Sequence, residues 1–297
     1  MLLRRTVRLP FVPPLLPGNL YGHLAATAVP GVEEWRDGAY RAAVALPSGP
    51  AILAAALPDG DAVPAVLLLS DERDLPAAVR RLRGMLDLER DPAEADGVLR
   101  RDAALAPLVG AAPGRRSPGS PDAAAMVLKA VLGQQVSTAA ARTHAARLAE
   151  ALGGPVTDPE GGLSRLFPAP AALVAAPEVA ADALRMPASR RATVLAVAAA
   201  LTRGDVDLTD PPSARAALLA LPGVGPWTVE TVAMRALQDL DAFPAADLGV
   251  LAAARRLGLP SDARALTVRA RSWSPIRAVA VQHLWATGEH PVNSLPA

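Results

Sequence analysis

The chain has 297 residues, 51% apolar and 3% aromatic, with a formal net charge of +1; this is enough apolar material for two or three units with real cores, and bulk charge singles out no polyanionic partner, so any nucleic-acid surface must be a local patch. Cysteine is absent, which excludes disulfides, thiolate zinc sites, cysteine-ligated iron–sulfur clusters and a cysteine nucleophile. The opening MLLRRTVRLPFVPPLLPG has no apolar core of signal-peptide length before its prolines, and no apolar run approaches a membrane span, so a cytoplasmic, nucleoid-associated protein is expected.

From Val7 to about Ser70 the pattern gives short strands, TVRLP, AYRAAVAL, PAILAAAL and AVPAVLLLS, separated by Pro, Gly and Asp turns and interrupted by a helix over Leu20 to Thr27. A second helix, DLPAAVRRLRGMLDL, places Leu75, Val79, Leu82, Met85 and Leu86 at helical spacing. Together these predict a small α+β unit. The segment GAAPGRRSPGSPD, residues 110 to 122, reads as a linker or an ordered surface loop. Everything after it reads as helix: AAAMVLKAVLG, broken by GQQVS, where Ser137 suits the N-cap of TAAARTHAARLAEALGG, then helices near 171–176, 178–184, 189–203, 213–221, 227–238, 247–257, 261–271 and 275–286.

Two of these helices, ARAALLAL and WTVETVAMRAL, are joined by PGVG. Glycines there let backbone amides approach another chain without intervening Cβ atoms, and amides at the positive end of a helix suit a phosphate oxygen. An ordinary helix–helix turn uses the same residues, so the motif alone leaves both readings open. Downstream, in DAFPAADLGVLAAARRLG, Asp247 directly precedes the periodic Leu248, Val250, Leu251, Ala254 and Leu257. It suits an N-cap. A carboxylate fixed beside a DNA-gripping loop has a further use, to stabilise an oxocarbenium-like sugar as a glycosidic bond breaks.

Five separated stretches, LPGVGPWTVETVAMRAL, FPAADLGV, VLGQQVSTAAARTHAARL, SWSPIRAVAVQHLWATGEHP and HLAATAVPGVEEWRDGAYRAAVAL, resemble the helix-hairpin-helix (HhH-GPD) DNA glycosylases, of the 3-methyladenine DNA glycosylase II (AlkA) type. The resemblance implies an α+β fold class: an N-terminal domain similar to a TATA-binding-protein repeat (1–98), a linker or first helix segment packing with the C-terminal helical domain (99–121), a helical domain with the hairpin (122–239) and a helical domain carrying the aspartate (240–290), the active cleft lying between the helical domains. It implies Asp247 as the catalytic carboxylate, Leu221, Gly223, Gly225 and Thr228 as the phosphate grip, with a Na+ or K+ ion on the backbone of Leu221 and Gly223, and otherwise no cofactor. Gln134, Gln135 and Ser137 would enter the minor groove, Gln135 filling the gap left by an everted base. The partner is double-stranded DNA with a damaged base, and the enzyme a monomer.

Trp227 stands where bifunctional relatives, which nick DNA through a Schiff base, carry a lysine, and the only lysine of this chain is Lys129. The resemblance therefore implies a monofunctional enzyme that uses water and leaves an abasic site. Its base pocket would hold Trp227, Thr231, His23 and Ile276, the last three replacing aromatics common in the branch, with Tyr21 or Trp273 compensating. Cationic N3- or N7-alkyl purines suit a tryptophan face and a carboxylate; the missing aromatics leave open a different or bulkier adduct, and a non-catalytic DNA-binding module is the reading from another class. Arg235, Arg255, Arg256 and Arg277 are candidates for phosphate contact, whereas His144, His283 and His290 show no metal-ligand spacing.

Overall fold

The computed structural model describes residues 2–296. Five strands, β1 (Leu3–Pro10), β2 (Glu33–Arg36), β3 (Ala39–Leu46), β4 (Gly49–Ala56) and β5 (Ala62–Leu69), form an antiparallel sheet in the order β1-β5-β4-β3-β2. The edge strand β2 is not evident from the pattern, because EEWR is charged. It is held by a tight Asp37-Gly38 turn with φ of 51° and 73° and pairs Trp35 with Tyr40; Asp-Gly is the short hairpin signal that marks it. Helices α1 (Pro17–Thr27) and α2 (Leu75–Met85) cover one face, burying Leu20, Tyr21, Leu24, Leu53, Leu67 and Leu82 in one core.

That core ends at Leu88. Helices α3 (Pro92–Leu99) and α4 (Ala106–Ala111) contribute Ala95, Leu99, Leu105 and Val109 to a different core, shared with the C-terminal helices, so the first unit's own core stops short of residue 98. Within the Gly/Pro-rich stretch 110–122, expected as a linker or an ordered surface loop, Gly114 to Gly119 are buried instead. Arg116, wholly enclosed, donates to the carbonyls of Val12, Asp87 and Arg90 and ties this segment to the sheet domain. Apolar composition is not required for burial when backbone carbonyls accept from both terminal nitrogens of the guanidinium.

The helical part comprises α5 (Ala123–Leu132), α6 (Thr138–Leu152), α7 (Pro170–Ala175), α8 (Pro177–Ala183), α9 (Ala188–Arg203), α10 (Pro211–Leu219), α11 (Pro226–Arg235), α12 (Leu248–Arg256), α13 (Ala263–Arg269) and α14 (Arg277–Trp285). It has two cores. Val229 and Val232 of α11 belong to the first, while Ala233 and Met234 belong to the second with α12 and α14. One helix thus bridges both units, and its N-terminus, where the glycine turn lies, faces the start of α12. The fold class is the expected one, a small antiparallel sheet domain followed by helical units. No described helix is long and apolar enough to cross a membrane.

Candidate active site

The turn between α10 and α11 uses its two glycines for different reasons. Gly223 adopts φ +81°, and a Cβ on it would lie 2.1 Å from Thr193 Oγ1, so the protein's own packing requires glycine. Gly225 has φ −103° and no atom within 4 Å of a built Cβ. Nothing inside the protein demands glycine there; the space lies outside it. Pro226 opens α11, and the first amides of a helix have no intrahelical carbonyl. Gln134 donates from Nε2 to the Gly223 carbonyl at 3.0 Å and to Thr228 Oγ1 at 2.9 Å. The expected groove residue therefore braces the hairpin, and brings GQQVS beside it. Gln135 next to it is exposed at φ 55°, and Ser137 caps α6 by accepting from the Ala140 amide at 3.2 Å.

Asp247 lies at the N-cap of α12, as its sequence position predicts. Its Oδ1 accepts from the amides of Gly249 at 2.9 Å and Val250 at 3.1 Å, and from the Trp285 indole at 2.8 Å. Its Oδ2 accepts from the Trp227 indole at 3.1 Å. Four donors fix the carboxylate plane, and Oδ2, with one donor, keeps acceptor capacity. Trp227 comes from the hairpin helix and Trp285 from the end of α14, so the carboxylate is clamped between the two helical units.

Thr231 follows Trp227 by one helical turn and is half-buried. His23 of α1 stacks on Trp285 with centroids 5.8 Å apart and planes at 29°, so the sheet domain supplies one side of the cleft. Burial, followed by the positive charges of Arg235, His290 and Lys129, holds His23 well below the ordinary histidine range. The segment Pro291–Asn293 packs along α1, and Asn293 Nδ2 donates to the Trp285 carbonyl at 2.9 Å, tying helix and tryptophan together. Leu248, 83% exposed beside Asp247, is the most exposed large apolar residue among those described.

Trp285 and Leu248 are absent from the sequence-derived site. Trp285 lies in the motif-bearing stretch, but its approach to Asp247 depends on how α14 packs on α12, which periodicity does not reveal; the readable signal is an indole N–H at a helix end in need of an acceptor. Three expected pocket residues are elsewhere. Tyr21 is wholly buried, donates to the Ala56 carbonyl at 2.5 Å and meets the edge of Trp35. Trp273 is equally enclosed, its indole on Asp102 at 2.6 Å and its ring edge-on to Phe243. Ile276 lies in the C-terminal core. All three are sheet or core aromatics and aliphatics with no open face for a base. Arg235 is buried, pushed down to about 10 by desolvation, and donates to the Gly119 carbonyl; Arg277 forms a two-pronged pair with Asp241. Arg235 is thus enclosed and Arg277 is engaged by a carboxylate. Arg255 and Arg256 are exposed on α12. Among the described residues no group of His, Asp or Glu could hold a metal ion.

Residues 6–122 match the AlkA N-terminal domain, and residues 128–278 match the HhH-GPD superfamily base excision DNA repair protein. The chain is 49% identical, over 98% of its length, to the probable bifunctional transcriptional activator/DNA repair enzyme AlkA of Mycobacterium tuberculosis, and spans 58% of that relative. It is 33% identical to DNA-3-methyladenine glycosylase 2 of Escherichia coli, covering 90% of this chain and 92% of the relative. The 3-methyladenine DNA-glycosylase from Archaeoglobus fulgidus shares the fold with a TM-score of 0.80 at 22% identity, over 95% of this chain and 97% of the other.

Proposed function

The chain belongs to the HhH-GPD superfamily of base excision DNA repair proteins, with an AlkA N-terminal domain ahead of it, and on that premise we propose that it is a monofunctional DNA glycosylase that removes alkylated purines from double-stranded DNA. The observation that carries the reading is the Asp247 carboxylate, held by two indoles and two helix amides beside the glycine turn. A phosphate grip alone gains nothing from an anion at that point.

In this reading the amides of Gly223 and Gly225 themselves, which donate to no acceptor among the described residues, take a backbone phosphate. The carbonyls of Leu221 and Gly223 each accept one hydrogen bond, from the Val224 amide and from Gln134, and each keeps a second lone pair, which fits a monovalent cation that would add positive charge under the phosphate. Gln135, exposed on the neighbouring break, fills the stack where a nucleotide leaves it. The everted base enters between Trp227, Thr231, Trp285 and His23; a cationic base gains from an indole face. As the glycosidic bond breaks, positive charge grows on the sugar, and the oriented Oδ2 stabilises it more than it stabilises the ground state. Water then attacks the anomeric carbon and leaves an abasic site.

Trp227 offers no amine for a Schiff base. The sole lysine, Lys129, pairs with Glu33 at 2.6 Å. Treatment of a methylated duplex should produce sites that break only after alkali, and borohydride should trap no protein–DNA adduct; strand breaks before alkali would contradict the monofunctional assignment. Thr231, where an aromatic is common, favours a second reading: a pocket with room for a larger adduct, tested by comparing release of methyl and bulkier N7-alkyl guanines.

A further inference from the structure

The cleft has a side that the bond-breaking step does not use. His23 lies there, stacked on Trp285, half-buried, with its Nδ1 enclosed and without a hydrogen-bond partner. Its Nε2 also has no partner in the protein but is not enclosed, so it is the ring nitrogen that a ligand can reach. A buried N–H without an acceptor is rarer and costlier than a buried lone pair. The nearby cations Arg235 and Lys129 also favour a lone pair over a proton on the enclosed nitrogen. The neutral ring therefore carries its proton on Nε2, as a donor toward the cleft.

Two cations act on the ring, Arg235 and Lys129, and only Lys129 is paired with a carboxylate. Glu33 accepts from Lys129 at 2.6 Å, while Arg235 Nε and Nη1 are buried without partners. Two cations to one anion make this end electropositive, whereas Asp247 makes the sugar end electronegative. A base that fits this gradient has its positive charge near the glycosidic nitrogen and an electron-rich oxygen at its far edge. An N7-alkylguanine has this distribution: the cation is the imidazole ring and the 6-position is a carbonyl. In an N3-alkyladenine the charge lies in the six-membered ring and the 6-position carries amino protons, which would face a donor and two cations.

We propose that His23 is a specificity-determining residue, whose Nε2–H donates to the 6-carbonyl oxygen of an everted purine and so raises excision of N7-alkylguanine relative to N3-alkyladenine. This rests on the glycosylase reading above. DNA treated with a methylating agent carries both lesions, so single-turnover release of 7-methylguanine and 3-methyladenine can be followed in one reaction. The wild type is compared with His23→Phe, which keeps a ring and loses the donor, and His23→Gln, which keeps an N–H donor. The release ratio of 7-methylguanine to 3-methyladenine should fall about tenfold in the phenylalanine variant, the size of one lost hydrogen bond, and recover in part in the glutamine variant. Release of 3-methyladenine reports folded enzyme in the same tube; where the phenylalanine variant releases neither base, the glutamine variant's ratio decides. An unchanged ratio with an active wild type overturns the role of His23 alone. No release by the wild type overturns the glycosylase reading with it.

Discussion

The indole nitrogen of Trp285, the last residue of α14, lies 2.8 Å from Oδ1 of Asp247, the N-cap of α12, while the indole of Trp227 on α11 holds the other oxygen at 3.1 Å. Two aromatic side chains from two helical units thus aim one carboxylate. Replacing Trp285 by Phe keeps a ring and removes the donor. A hydrogen bond to a charged group contributes about 1.5–3 kcal/mol, so base release should slow roughly ten- to hundredfold. Single-turnover kinetics and duplex binding, measured side by side, should show the rate falling while affinity is kept.

Asp247 has two separable duties. As a cap it accepts from Gly249 and Val250, and losing it to Ala should cost about 1 kcal/mol of stability. Asn keeps an oxygen for those amides. Chemical denaturation should therefore show Asp247→Ala destabilised and Asp247→Asn close to wild type, although both lose base release.

The hairpin glycines should part in the same way. Gly223→Ala meets a positive φ and the Thr193 hydroxyl, and is expected to lower stability by about 2 kcal/mol or more. Gly225→Ala meets nothing in the protein. It should leave the denaturation midpoint nearly unchanged and weaken duplex binding, because its methyl group would occupy the space a phosphate needs. Equal stability losses in the two variants would contradict this division.

His283, buried on α14, is pushed down to about 3 by desolvation, then by the charges of Arg115 and Arg90, from an ordinary value of 6.5. Between those two values the unfolded chain binds a proton that the folded chain excludes. Stability should therefore fall as pH drops below about 6.5, with a slope of at most about 1.4 kcal/mol per pH unit from this group. Urea midpoints at pH 7, 6 and 5 should decline less steeply in His283→Gln than in the wild type.

Much of this was legible in the residues. Asp247 could be found because an N-cap signal stands directly before a periodic helix, and Ser137 because a cap leaves a local trace. Tyr21 and Trp273 lie away from the cleft for the opposite reason: residue type tells that a ring will be half or wholly covered, not which element covers it, and both find acceptors deep in a core. Trp285 reaches Asp247 only through the packing of α14 on α12, a relation between segments 38 residues apart. Residues 114–119 read as solvent-facing because of their Gly, Pro and Arg content, yet backbone carbonyls around Arg116 let them cross the interior.

The central claim is that Asp247 drives cleavage of the glycosidic bond. Incubating a methylated duplex with the wild type and with Asp247→Asn, and identifying the released bases by chromatography, tests it most directly. Free methylated purines should appear with the wild type and be absent, or at least about a hundredfold slower, with the variant, while both proteins bind the duplex with similar affinity. Equal release by the two proteins, or tight duplex binding by the wild type with no base released, would contradict it.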